Sequence, residues 1–247
     1  MPCFALSRNT AICWRSVPAS TPKLPPPIPD AIPFVTTPTL APGSVNDVTV
    51  ATPSGLSGTL KNGWVQDFND SGGSGGFYDA VTSLIANQIT VGVGGGNYGY
   101  TQNIKRQSMA VFLIKAKHGI CYTPPPCSGV FADVPCSSTF APWIEAMAAE
   151  GITGGCGGGN FCPQSPVRRD QMAVFLLKGE HGPDYTPPPC SGIFTDVTCP
   201  STFADWIEQL KTEQITGGCG NGTTYCPSAS NTREQMAVFI VRTFSLQ

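Results

Sequence analysis

Sulfur is the most reactive chemistry in this chain, and it recurs as a set. Cys127, Cys136, Cys156 and Cys162 return as Cys190, Cys199, Cys219 and Cys226, while the matching upstream positions hold Trp64, Gly73, Val93 and Gly99. All four come and go together, as members of disulfides must. Pairing Cys127 with Cys136, Cys156 with Cys162, Cys190 with Cys199 and Cys219 with Cys226 closes short loops in glycine- or proline-rich stretches, although four cysteines per copy permit three pairings. Zinc is the competing chemistry, but the close paired spacing of such sites is absent, so neither metal nor cofactor is expected. Cys3, Cys13 and Cys121 stand outside the set, and one of them is a candidate for a bond between chains. Eleven cysteines used this way point to an oxidising, extracellular setting.

Charged groups offer a second chemistry. Arg106, Arg169 and Arg233 each open a helical pattern, where a planar guanidinium fork and a helix N-terminus together suit a carboxylate. The alternative is a salt bridge to a neighbouring copy, at Asp133 or Asp196. The glycine loops at 152–160 and 215–222 read as tight reversals; an anion cradle is the sharper reading, but no GxxxxGK[ST] nucleotide loop is present. His118 and His181 are the two histidines, both at a repeated helix end, and neither GxSxG nor HExxH occurs. Glu145 and Glu208 fall off the apolar stripe of their helices and are expected to be solvated. An enzyme is not expected.

The elements that carry these residues follow from an offset of 63 residues, which links Phe77, Phe140 and Phe203, and likewise Phe68, Phe131 and Phe194, Asp70, Asp133 and Asp196, and His118 with His181. Each copy reads as helix, glycine loop, helix. In the first helix Phe140, Trp143, Ile144, Met147 and Ala148 form one apolar stripe, repeated by Phe203, Trp206, Ile207 and Leu210, and by Phe77, Ala80, Val81, Leu84 and Ile85. These aromatics are read as core. The second helix carries a shared Met-Ala-Val-Phe run and stops at His118-Gly119 and His181-Gly182. One such unit buries little surface alone, so the copies must pack on one another.

Composition limits the partners. With 12% charged residues and a net charge of −2, the chain lacks the basic excess of a nucleic-acid binder, and no apolar run is long enough to cross a bilayer. The first 20 residues make a poor signal peptide, which points to a start further upstream or to a processed chain. Residues 1–33 read as a proline-rich arm or linker. Residues 34–66 read as two to four short β-strands, with Asn62-Gly63 as a turn signal. Thr37-Pro38, Pro42-Gly43, the VNDVTV run at 45–50 and the GLSGTLKNGW run at 55–64 resemble the C-terminal half of an immunoglobulin-like TIG domain, whose opening strands are missing here.

The repeats themselves resemble a known family. Phe131-Ala132-Asp133-Val134, Gly151-Ile152, Phe161-Cys162-Pro163 and Val167-Arg168-Arg169-Asp170-Gln171 in the second copy resemble the S-layer homology repeat of bacterial surface proteins. The third copy supplies Phe194-Thr195-Asp196-Val197, Gln214-Ile215, Tyr225-Cys226-Pro227 and Thr232-Arg233-Glu234-Gln235. The first, weaker copy supplies Phe68-Asn69-Asp70-Ser71, Gln88-Ile89 and Ile104-Lys105-Arg106-Gln107-Ser108. Lys105 and Arg168 replace the motif threonine that Thr232 keeps.

The resemblance implies an α+β chain, mainly helical. Its expected domains are copies at 67–120, 121–183 and 184–247 forming a pseudo-threefold module, behind a partial sandwich at 34–66. It also implies a cell-surface protein held non-covalently on cell-wall polysaccharide, often pyruvylated, in grooves between copies, with Arg106, Arg169 and Arg233 meeting the anionic sugar. The alternative is a structural subunit that assembles into a layer or fibre by β-strand addition, with residues 1–17 or 31–37 as donors.

Overall fold

The computed structural model describes residues 41–51, 57–72 and 75–246. The proline-rich arm, the first expected strand and both proposed donor stretches lie outside the described residues. Among those described, two antiparallel strands precede six helices: β1 (Val45–Ala51), β2 (Ser57–Val65), α1 (Gly76–Ala86), α2 (Arg106–His118), α3 (Ala141–Ala149), α4 (Arg169–His181), α5 (Ala204–Thr212) and α6 (Arg233–Phe244). The chain is therefore mainly helical with a small β element.

Asn62-Gly63 is not the turn that its composition suggests. Both residues lie inside β2, where the register slips between Asn46 opposite Trp64 and Val48 opposite Leu60. Two residues of β1 advance while four of β2 do, and the surplus is absorbed as a bulge, a position that tolerates glycine.

Helix packing interleaves the recurring segments. α2 packs on α3, α4 on α5, and α6 returns to pack on α1, while α2, α4 and α6 also meet one another. Three backbone hydrogen bonds close where those last three helices begin: Ile104 N–H donates to Asn231 O at 2.9 Å, Asn231 N–H to Val167 O at 2.9 Å, and Val167 N–H to Ile104 O at 3.0 Å. Each helix start also gives its first amides to another segment: Arg106 N–H to Ser165 O, Arg169 N–H to Ala229 O and Arg233 N–H to Gln102 O. These are the donors a helix cannot satisfy internally, so the segments cap one another.

The apolar stripes form the core, with Leu84, Ile144, Ile207, Met109, Met172 and Met236 essentially inaccessible. Phe77 departs from the expected core set and is 45% exposed. Phe140 and Phe203 are the N-cap residues of α3 and α5, whereas α1 is capped by Gly75 and holds Phe77 within its first turn. The earlier helix start turns that ring outward. The recurring Phe-x-Asp step is a plug for the glycine loop. Phe131 packs on Phe161 at 5.4 Å, and the Asp133 carboxylate accepts from Phe161 N–H at 2.8 Å and Cys162 N–H at 2.7 Å. Asp70 and Asp196 do the same for Tyr98-Gly99 and Tyr225-Cys226.

Candidate functional site

Four disulfides join Cys127 to Cys136, Cys156 to Cys162, Cys190 to Cys199 and Cys219 to Cys226, and Cys121 is disulfide-bonded as well. Asp133 lies close to the sulfurs of Cys156 and Cys162, and Asp196 to those of Cys219 and Cys226. Bonded sulfur offers no thiolate to a metal.

Glu145 and Glu208 are buried rather than solvated, at 8% and 5% exposure. The Glu145 carboxylate accepts from Ser128 N–H, Gly129 N–H and Val130 N–H at 2.7 to 2.9 Å, and from the Ser128 hydroxyl. Glu208 repeats this with Ser191, Gly192 and Ile193. Burial works to raise both carboxyl pKa values, and the converging backbone and hydroxyl donors overcome it, holding them below the ordinary value of 4.5. Each glutamate fastens the disulfide loop before its helix. The acid off the stripe faces a neighbouring loop, a destination that helical periodicity does not encode.

The three arginines sit at junctions between segments. Arg106 donates from Nε to Phe161 O at 2.7 Å, Arg169 to Tyr225 O at 2.7 Å and Arg233 to Tyr98 O at 2.8 Å. Each guanidinium lies between two rings: Phe161 and Phe175 for Arg106, Tyr225 and Phe239 for Arg169, Tyr98 and Phe112 for Arg233. Burial pulls all three below the ordinary arginine value without discharging them. Carbonyl oxygens and ring faces take the place of the expected bridges to Asp133 and Asp196, whose carboxylates are engaged by backbone amides. Tyr98 and Tyr225 answer in kind, their hydroxyls donating to Arg233 O and Arg169 O.

The outer guanidinium nitrogen, Nη2, is also met differently at the three junctions. Nη2 of Arg106 donates to Gly155 O and that of Arg169 to Gly218 O, both at 3.3 Å. Nη2 of Arg233 is buried with no hydrogen-bond partner among the described residues. Arg233 also lines a cleft of about 520 Å³ with Thr90, Gln102, Lys105, Gln107 and Lys115, and its described lining contains no acid. Lys105 Nζ is held by Gln164 Oε1 at 2.9 Å, and Lys115 Nζ reaches Gln88 O at 3.2 Å. Sequence reading passed over Lys115. The available signal was its position on the same helix as Arg106, meaningful only once α2 is known to border this cleft.

His118 and His181 meet Glu150 and Glu213 at 2.7 and 2.9 Å and pack on Tyr122 and Tyr185. They tie the end of one helix to the end of the next. Among the described residues no helix is long and apolar enough to cross a membrane. No curated protein matches the chain. The segment that holds α3, the glycine loop at 152–160, Asp133, Glu145 and the start of α4 is matched by a family model: residues 130–173 match the S-layer homology domain.

Proposed function

We propose that this chain is an extracellular surface protein that attaches non-covalently to anionic cell-wall polysaccharide. In this reading residues 67–120, 121–183 and 184–247 are three S-layer homology copies closed about a pseudo-threefold axis, behind an arm at 1–33 and a TIG-like β segment at 34–66. The family match over 130–173, the ring of hydrogen bonds through Ile104, Val167 and Asn231, and the disulfides suited to an exterior all support it.

The observation that carries the reading is the cleft at Arg233, whose described lining also holds Lys105 and Lys115 and no acid, so that it suits an anion. Anionic sugar oxygens complement the ammonium groups of Lys105 and Lys115 that border it. Arg106 and Arg169 then act on the sugar indirectly, by fixing the junctions that shape the clefts. Co-sedimentation with purified wall polysaccharide tests this. The parent chain should pellet with the polysaccharide in a salt-sensitive manner, and Lys105→Gln/Lys115→Gln should retain its fold while losing about tenfold in affinity. A folded parent chain that stays in the supernatant, or a double variant that binds as the parent does, refutes it.

A further inference from the structure

Three helix pairs share one design, and one of them lacks its central side chain. Where α2 meets α3, Trp143 lies with Lys115 Nζ 5.6 Å from its ring centroid. Where α4 meets α5, Trp206 lies with Lys178 Nζ at 6.0 Å. Where α6 meets α1, the cation is Arg242, and the residue 63 positions before Trp143 is Ala80. In place of an indole there is a groove of about 570 Å³, lined by Ala80, Phe77, Asp79, Val238, Val241 and Arg242. Arg242 is exposed there, anchored through Nη1 to Ile215 O at 3.2 Å, and Phe77 stands 45% exposed at the rim.

We infer that the α1–α6 groove is a binding site for a tryptophan side chain carried by a separate polypeptide. The two filled interfaces specify the occupant's chemistry: a flat aromatic body against the aliphatic wall and a cation over its π face. Arg242 supplies that cation, and guanidinium stacks on an aromatic face at least as well as ammonium does. Phe77 adds an exposed ring to pack against the entering one. An aliphatic chain would fill the volume but leave Arg242 without its π partner. The site is separate from the Arg233 cleft and does not depend on polysaccharide binding.

Ligand-observed NMR of the full chain with N-acetyltryptophanamide tests this. We expect saturable binding in the millimolar range, since a lone side chain contributes few contacts. Ala80→Trp should fill the groove, raise the melting temperature and abolish binding, while Arg242→Met should weaken it about threefold by removing the cation. Should Ala80→Trp fail to fold, Arg242→Met alone decides. Absence of saturation, undiminished binding in the folded variants, or tighter binding of methyl glucoside than of the indole would overturn the inference. So would a Trp14→Ala chain that binds the probe where the parent does not, since the chain's own tryptophan would then be the occupant.

Discussion

Arg169→Ala tests the claim that the arginines hold the recurring segments together. The substitution removes the Nε hydrogen bond to Tyr225 O at 2.7 Å and the contacts at 4.7 and 5.4 Å to the Tyr225 and Phe239 rings. It also strands a buried carbonyl. A hydrogen bond to a charged donor contributes roughly 1.5 to 3 kcal/mol, and a desolvated cation–π contact up to about 2 kcal/mol. Against this stands the relief of no longer burying a guanidinium that is 5% exposed, itself several kcal/mol in size. The balance is a loss of about 3 kcal/mol, which for a chain of this size lowers the melting temperature by roughly 6 to 12 °C. Arg169→Lys should recover little, because ammonium lacks the planar fork that bonds and stacks at once. Arg168→Ala serves as the control: its side chain is 48% exposed and pairs with Asp170, so its loss should stay within about 1 kcal/mol. Urea and thermal unfolding with disulfides kept oxidised, followed by circular dichroism, measure both. A loss below about 1 kcal/mol for Arg169→Ala would show that the junction does not depend on this side chain.

Glu145 and Glu208 have depressed carboxyl pKa values, so their contribution is complete above the ordinary value of 4.5 and is lost as pH falls through the folded-state value. Melting curves from pH 7 to pH 3 should show a steeper acid loss for the parent than for Glu145→Gln/Glu208→Gln; parallel curves refute the stabilisation of these carboxylates by the loop amides. Replacing Cys156 and Cys162 with serine opens a short loop and should cost about 2 kcal/mol by urea denaturation, while intact-mass analysis without reduction should find none of the eight recurring cysteines alkylated. Gly155→Ala should cost more than 1 kcal/mol, since φ is +89° and an added Cβ would crowd Asn160 O, with Gly154→Ala in open space as the tolerated comparison. Equal melting temperatures for the two would remove the close-approach argument.

The sequence by itself determined the repeat, its helices and their stops, because an offset of 63 residues and a 3.6-residue apolar period are one-dimensional signals. It also showed which cysteines form a set. Pairing was not fixed: four cysteines left three arrangements, and chain geometry selected the short loops. Tertiary structure alone decided what the polar groups meet. Glu145 and Glu208 look solvated on a helical wheel, yet a loop 15 to 17 residues upstream wraps them with amides. Arg106, Arg169 and Arg233 look alike in sequence, and only their surroundings distinguish the two whose Nη2 is satisfied from the one whose is not. Ala80 reads as one more small apolar residue in a stripe. The packing of α6 back onto α1 makes it the place where an indole is missing. Local periodicity records which face of a helix is apolar; it holds no record of the partner that face or its polar edge will find, because that partner is chosen by chain closure over distances of 15 to 135 residues.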